Sequence, residues 1–319
     1  MLINFIIFIL SLIVLFYSSK IFIDLIISIA VRYGISVFLL SIFVVGFGTS
    51  LPEIFTSISS SILLKKNIAI GNLIGSNIAN TLLVLGACAL VYPFSISYKS
   101  IYREYILIFI LSVLVAFILL DNLVSFLDAI CLFALFLFSM FFLYKSSSVV
   151  SFDLDSEIET IDVSKNIYSS SFLVLLCLFL MPASSHYIIL SSVEIASYLG
   201  VSDFFIGATV VALGTSIPEL ATSFISAQKK QYTLVFGNII GSNIFNISLA
   251  LSLVGFIRPG QHDDYVTSMV FREACFLVII TFVFIFFCIN KKQKLIMSRL
   301  SGLMCLFVYF IYHMYNFIN

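Results

Sequence analysis

Apolar residues run along this chain in long blocks separated by short polar breaks. A helix rises 1.5 Å per residue, so roughly 20 apolar residues cross a hydrocarbon core. Ten segments reach that length, at about 2 to 29, 36 to 63, 68 to 92, 103 to 121, 123 to 144, 170 to 197, 204 to 228, 233 to 256, 270 to 290 and 296 to 317. The pattern predicts an all-α membrane protein of ten transmembrane helices in two sets of five. Residues 1–145 form the first set and 170–319 the second, with a polar linker at 146–169 rich in serine and acids. The run from Leu2 to Tyr17 has no basic segment before it and no small-residue cleavage site, so it reads as a first span rather than a signal peptide.

The two sets repeat one text. GTSLPE at Gly48 to Glu53 and GNLIGSNIAN at Gly71 to Asn80 return as GTSIPE at Gly214 to Glu219 and GNIIGSNIFN at Gly237 to Asn246, at a constant offset of 166. Between residues 46–86 and 212–252, 18 of 41 aligned positions are identical, which points to duplication of the whole unit. Each copy sets a proline and a glutamate inside an apolar stretch, where neither is tolerated without a function, and a duplicated acidic break of this kind marks an ion transporter.

Composition narrows the class further. With 61% hydrophobic and 10% charged residues and a mean hydropathy of +1.19, the chain is polytopic. Sixteen basic residues balance sixteen acidic ones, leaving no basic surface for nucleic acid. The six cysteines lie in apolar runs without metal-binding spacing, and read as small helix residues.

Lysine and arginine set orientation, because they stay on the cytoplasmic side. With the N-terminus outside, the inner connections hold 11 of them, from Arg32 to Arg299, against 4 in the outer ones: Lys65, Lys66, Arg258 and Arg272. Both termini are therefore expected outside, on a cell membrane of inner or plasma type. Five spans per half is an odd number, so the second half enters upside down and broken helices of two inverted repeats meet at the midplane.

In the first signature, Pro52 denies the helix a backbone donor and is expected to free carbonyls near residues 48 and 49. Thr49, Ser50 and Glu53 share one helix face beside that break. On the next helix Asn72, Ser76 and Asn80 are spaced by four, as are Asn238, Ser242 and Asn246 in the second copy, with Gly71, Gly75, Gly237 and Gly241 allowing close helix approach. Carboxylate, hydroxyl and carbonyl oxygens without sulfur or imidazole suit Na⁺ or Ca²⁺ rather than zinc or copper. Glu53 and Glu219 have no basic neighbour in the signatures, so they need protons or metal cations. Two negative charges match one Ca²⁺ or several Na⁺ competing for the same oxygens.

At these residues the chain resembles the cation/calcium exchanger superfamily, most closely its compact prokaryotic sodium/calcium exchangers of ten spans. The resemblance implies that Glu53 and Glu219 ligate Ca²⁺ and share Na⁺ at flanking sites. It implies that Thr49, Ser50, Thr215, Ser216, Ser76 and Ser242 serve the Na⁺ sites, that Gly46 and Ala212 supply backbone carbonyls, and that Asn80 and Asn246 line the middle. Some members, potassium-dependent ones included, carry aspartate where Asn246 stands, which removes support for K⁺ co-transport. The proton-coupled branch typically has an acid where this chain reads GSN. The function expected is Na⁺/Ca²⁺ antiport that extrudes Ca²⁺, with no organic cofactor, no protein partner and no enzymatic chemistry; Ca²⁺/H⁺ or broader cation/proton exchange on the same glutamates is the alternative. A passive channel fits less well, because inverted signatures suit two gates around one site.

Other polar residues read as structural. Lys20 and Asp24 are positioned to pair on one face of the first span; Asp121, Asp128 and Asp203 lie near span ends, where an acid is tolerated; His186 and Glu194 are candidates for a proton relay, though interfacial placement also accounts for them.

Overall fold

A computed structural model describes residues 2–63, 66–97, 102–121, 123–147, 167–198, 212–260, 268–287 and 294–318. Asp203, Lys65 and residues 148–166 of the linker lie outside them. In the first half, α1 is Leu2–Tyr33, α2 Val37–Thr49, α3 Leu51–Ile62, α4 Asn67–Val91, α5 Tyr102–Ile118 and α6 Phe126–Ser147. In the second, α7 is Ile167–Tyr198, α8 Ala212–Thr215, α9 Ile217–Gln228, α10 Tyr232–Ile257, α11 Ser268–Phe287 and α12 Arg299–Ile318. Among the described residues six helices are long and apolar enough to cross a membrane, or seven when the bent pair α2 and α3 is taken as one span.

Burial sorts these helices into centre and rim. In their most apolar 18-residue stretches, α4 and α10, which contain the GN…GSN strings, bury 72% and 83% of their residues, whereas α6 buries 22%. Peripheral helices turn large apolar side chains outward, among them Phe117, Leu127, Phe141 and Phe179. Such a surface requires lipid rather than water. The main core includes Ile70, Leu73, Ile74 and Ile78 of α4 and Phe236, Ile239, Ile240 and Ile244 of α10. A second cluster forms where the long helices α1 and α7 pack together, through Phe22, Ile23 and Ile26 against Val174, Cys177, Met181 and Ile188.

Three features differ from the sequence expectation. A two-stranded antiparallel ribbon, β1 (Phe94–Ser97) with β2 (Lys294–Met297), pairs Phe94 with Met297 and Ser97 with Lys294, so the protein is not purely helical. Four-residue strands at the ends of apolar blocks are too short to announce themselves by period. Second, Asp24 pairs not with Lys20 but with Lys229, at the end of α9. Tertiary packing brings α9 against α1 and overrides the local i, i+4 geometry. Third, α2, α4 and α10 each contain a π-helical stretch, at Ser41–Gly46, Asn80–Val84 and Phe245–Ala250.

Because the Asp24 and Lys229 side chains are 51% and 26% exposed, their ion pair is a weak tether. Asp24→Asn is expected to lower stability by about 0.2 to 1 kcal/mol, and by less at high ionic strength. Thermal melts in low and high choline chloride check this; a loss several times larger that ignores salt would contradict it.

Asp121 and Asp128 sit at helix ends as expected. Asp128 closes a cap on α6, accepting from Ser125 N at 2.8 Å and Ser125 Oγ at 2.7 Å while its own N–H reaches Ser125 Oγ at 3.2 Å.

Candidate functional site

The two TS(L/I)PE strings fold as chain breaks. Ser50 (φ −79°, ψ 0°) and Ser216 (φ −86°, ψ 6°) stand between the helix segments, and α2 and α3 meet at 43°. Pro52 and Pro218 fall in the first turn of the following helices, where a missing N–H is harmless. The break expected at Pro52 takes the form of a helix that ends at Thr49 and restarts at Leu51. The Gly214 carbonyl at the second break accepts the Ser185 hydroxyl at 2.7 Å. The restart puts Glu53 and Glu219 in first turns, at the positive ends of α3 and α9.

Both glutamates are 0% exposed. Each is reached by the serine of the other half: Ser50 Oγ donates to Glu219 Oε1 at 3.4 Å, and Ser216 Oγ to Glu53 Oε1 at 3.5 Å. Thr215 and Ser76 also flank the Glu53 carboxylate, and Thr49 that of Glu219. The second oxygen of each, Oε2, is buried without a hydrogen-bond partner among the described residues. No described lysine or arginine pairs with either. Buried carboxylate oxygens left without donors call for a cation or a proton.

The threonines tie each break to the opposite signature helix. Thr49 Oγ1 donates to Asn238 Oδ1 at 3.0 Å and lies 3.1 Å from Ser242 Oγ, while Thr215 Oγ1 donates to Asn72 Oδ1 at 3.4 Å. The amide groups of Asn72 and Asn238 donate in turn to the Glu53 and Glu219 carbonyls, both at 3.4 Å. Asn72 and Asn238 therefore act as braces for the glutamate backbones. The Gly46 carbonyl accepts from Ser242 Oγ at 3.1 Å. Its counterpart by the offset, Ala212, opens α8.

Ser76, Asn80, Ser242 and Asn246 are buried to 1% exposure or less. Asn80 begins the π stretch of α4 and Asn246 is second in that of α10; such stretches are frequent at functional sites because they displace side chains from the α-helical stripe. Asn80 Oδ1 and both side-chain polar atoms of Asn246 have no hydrogen-bond partner among the described residues. The close approach expected of the paired glycines holds for Gly237 and Gly241, where an added β-carbon would meet Ser41 at 2.5 Å and the Ile42 carbonyl at 2.6 Å. For Gly71 and Gly75 the counterparts of Ser41 and Ile42 by the offset, Gly207 and Ala208, lie outside the described residues; among the described atoms the nearest to a β-carbon on Gly71 would be Glu273 Oε2 at 3.8 Å.

The structure adds residues that spacing by four passes over. Asn77 and Asn243, in the GSN strings, join the halves directly: Asn77 Nδ2 donates to the Asn243 carbonyl at 3.0 Å. Their signal was identity at the same offset. Thr222 and Ser223 fix the Asn238 amide at 3.0 and 2.9 Å, and Ser57 the Asn72 amide at 3.3 Å. His186 and Glu194 stand on an exposed face of α7 and are not drawn into the site. Glu273, half-buried on α11, receives the Tyr312 hydroxyl at 3.1 Å rather than joining either signature glutamate.

A multi-pass helical membrane protein with two buried carboxylates at paired helix breaks, enclosed by hydroxyl and amide oxygens from both halves, belongs to the class of ion transporters. The model of the sodium/calcium exchanger protein family matches residues 3–145 and 169–318. The chain is 31% identical over 267 residues to the inner membrane protein YrbG of Escherichia coli K12, covering 82% of this chain and 81% of that one. It is 30% identical over 300 residues to the sodium/calcium exchanger MaX1 of Methanosarcina acetivorans, covering 81% and 84%. The structure of the sodium-calcium exchanger NCX_Mj soaked with zero Na⁺ and Ca²⁺ superimposes with a TM-score of 0.81 at 30% identity over 98% of each chain. The chain belongs to the sodium/calcium exchanger family, a family of transporters rather than enzymes.

Proposed function

We propose that this protein exchanges Na⁺ for Ca²⁺ across the membrane by alternating access, with inward Na⁺ driving Ca²⁺ out. The observation that carries the reading is the pair Glu53 and Glu219: fully buried, without cationic partners among the described residues, and each bridged by the serine of the other half. Two formal charges balance one Ca²⁺, and the same oxygens serve Na⁺, so occupancy by one species excludes the other. Glu53 and Glu219 are the central Ca²⁺ ligands. Thr49, Ser50, Ser76, Thr215, Ser216 and Ser242 complete the Na⁺ sites with the Gly46 and Ala212 carbonyls, and Asn80 and Asn246 line the centre.

In this reading the chain makes ten spans as two inverted repeats, 1–145 and 170–319, with residues 146–169 as a cytoplasmic linker and both termini outside. The reciprocal hydrogen bonds across the halves support it, because two copies inserted in opposite senses present the same residues to each other.

The test is ⁴⁵Ca²⁺ uptake into proteoliposomes under a Na⁺ gradient, a pH gradient or neither. Uptake is expected with the Na⁺ gradient alone. Uptake that needs only the pH gradient would replace this reading with Ca²⁺/H⁺ exchange, and uptake with neither would indicate a channel.

A further inference from the structure

The amide of Asn80 is oriented by a chain of donors and acceptors that crosses between the halves. It begins at Thr81, whose hydroxyl donates to the Asn77 carbonyl at 2.9 Å. With its one proton used there, the Thr81 oxygen only accepts elsewhere, and it receives Asn243 Nδ2 at 3.4 Å. Asn243 must then present its oxygen on the other side, where Asn80 Nδ2 donates to Oδ1 at 3.1 Å. That leaves Asn80 Oδ1 as the end of its amide without a partner among the described residues. Asn77 Nδ2 holds the Asn243 carbonyl at 3.0 Å, so the Asn243 backbone is tied down as well. Asn77, Asn80, Thr81 and Asn243 are all 1% exposed or less.

We propose that Thr81 and Asn243 are positioning residues that turn the carbonyl oxygen of Asn80, rather than its NH₂ group, toward the transported cation. The idea rests on Asn80 lining the ion site. An amide presents either a hard oxygen or two partially positive hydrogens, and only the oxygen ligates Ca²⁺ or Na⁺. In the second half the relay is broken at its first member: the offset of 166 puts Ile247 where Thr81 stands. The Asn246 amide accordingly has no partner at either end among the described residues, and the ion rather than the protein orients it. The site thus holds one asparagine fixed in advance as an acceptor and one that adapts.

Thr81→Val keeps the side-chain shape and removes the hydroxyl. In Na⁺-driven ⁴⁵Ca²⁺ uptake it is expected to raise KM for Ca²⁺ about five- to tenfold, the effect of one net hydrogen bond, at unchanged maximal rate. Thr81→Ser is expected to restore the parent KM, and Asn243→Ala, which cuts the relay one step later, to match Thr81→Val. Asn80→Ala should itself raise KM, and Thr81→Val should add nothing in that background. A parent-like KM in both Thr81→Val and Asn243→Ala overturns the relay, as does full additivity of Thr81→Val with Asn80→Ala. Silence of Asn80→Ala alone overturns the assignment of Asn80 to the ion site, a failure that this series separates from failure of the relay.

Discussion

Glu53→Gln, or Glu219→Gln, is expected to reduce Na⁺-driven Ca²⁺ uptake to the level of empty liposomes. Glutamine has the shape of glutamate and keeps an oxygen to accept from Ser216 or Ser50, so the substitution removes charge and little else. Both positions are 0% exposed, and no solvent screens the loss. Removing one partner of a buried charged contact costs about 2 to 5 kcal/mol. At about 1.4 kcal/mol per tenfold, Ca²⁺ affinity should fall from roughly 30-fold to several thousandfold. Calorimetric titration and transport measure this directly; parent-like affinity and flux in both variants would remove the glutamates from the site.

The same variants separate a binding role from a structural one, because the two roles predict opposite signs in a melt. A buried carboxylate without a counter-ion destabilises the fold, so in ion-free buffer each glutamine variant is expected to melt at or above the parent temperature. Added Ca²⁺ stabilises the parent by mass action, about 2.7 kcal/mol at a hundredfold excess over Kd. It should leave the variants nearly unmoved. A variant that melts well below the parent without ions would show that the glutamates hold the helices together.

What the sequence revealed of this site, and what it concealed, follows from the range of the forces involved. Glu53, Glu219 and their hydroxyl neighbours were legible because proline and glutamate in an apolar block have no lipid-compatible explanation, and the offset of 166 matched them in pairs. Asn77 and Asn243 stood in plain view inside identical strings. A rule of spacing by four selects the stripe of Ser76 and Asn80, though, and a residue one step on points about 100° away, here across to the other half. No residue type encodes the π stretches that displace Asn80 and Asn246; they arise from packing between helices. The partner of Asp24 lies 205 positions away at Lys229, beyond any local pattern.

Gly241→Ala and Gly46→Ala are expected to be the most damaging single-methyl changes near the site. A β-carbon on Gly241 would lie 2.6 Å from the Ile42 carbonyl oxygen and 3.0 Å from Ile42 Cα; one on Gly46 would lie 2.9 Å from Gly241 Cα and from Ser242 N. These neighbours are backbone, which no rotamer change can clear, so α2 and α10 must separate. Overpacking of this kind costs about 1 to 3 kcal/mol, which lowers the melting temperature of a chain this long by about 2 to 6 °C. Separation also stretches the contact from Ser242 Oγ to the Gly46 carbonyl, so Ca²⁺ affinity should fall with stability. Parent-like melting temperature and Ca²⁺ affinity in both variants would refute the close approach. Position 46 is glycine where its counterpart 212 is alanine, so the duplicated text already allows a methyl on one side and not on the other. The wall formed by α2 and α10 is thus closed by backbone contact, and it should register an added methyl group.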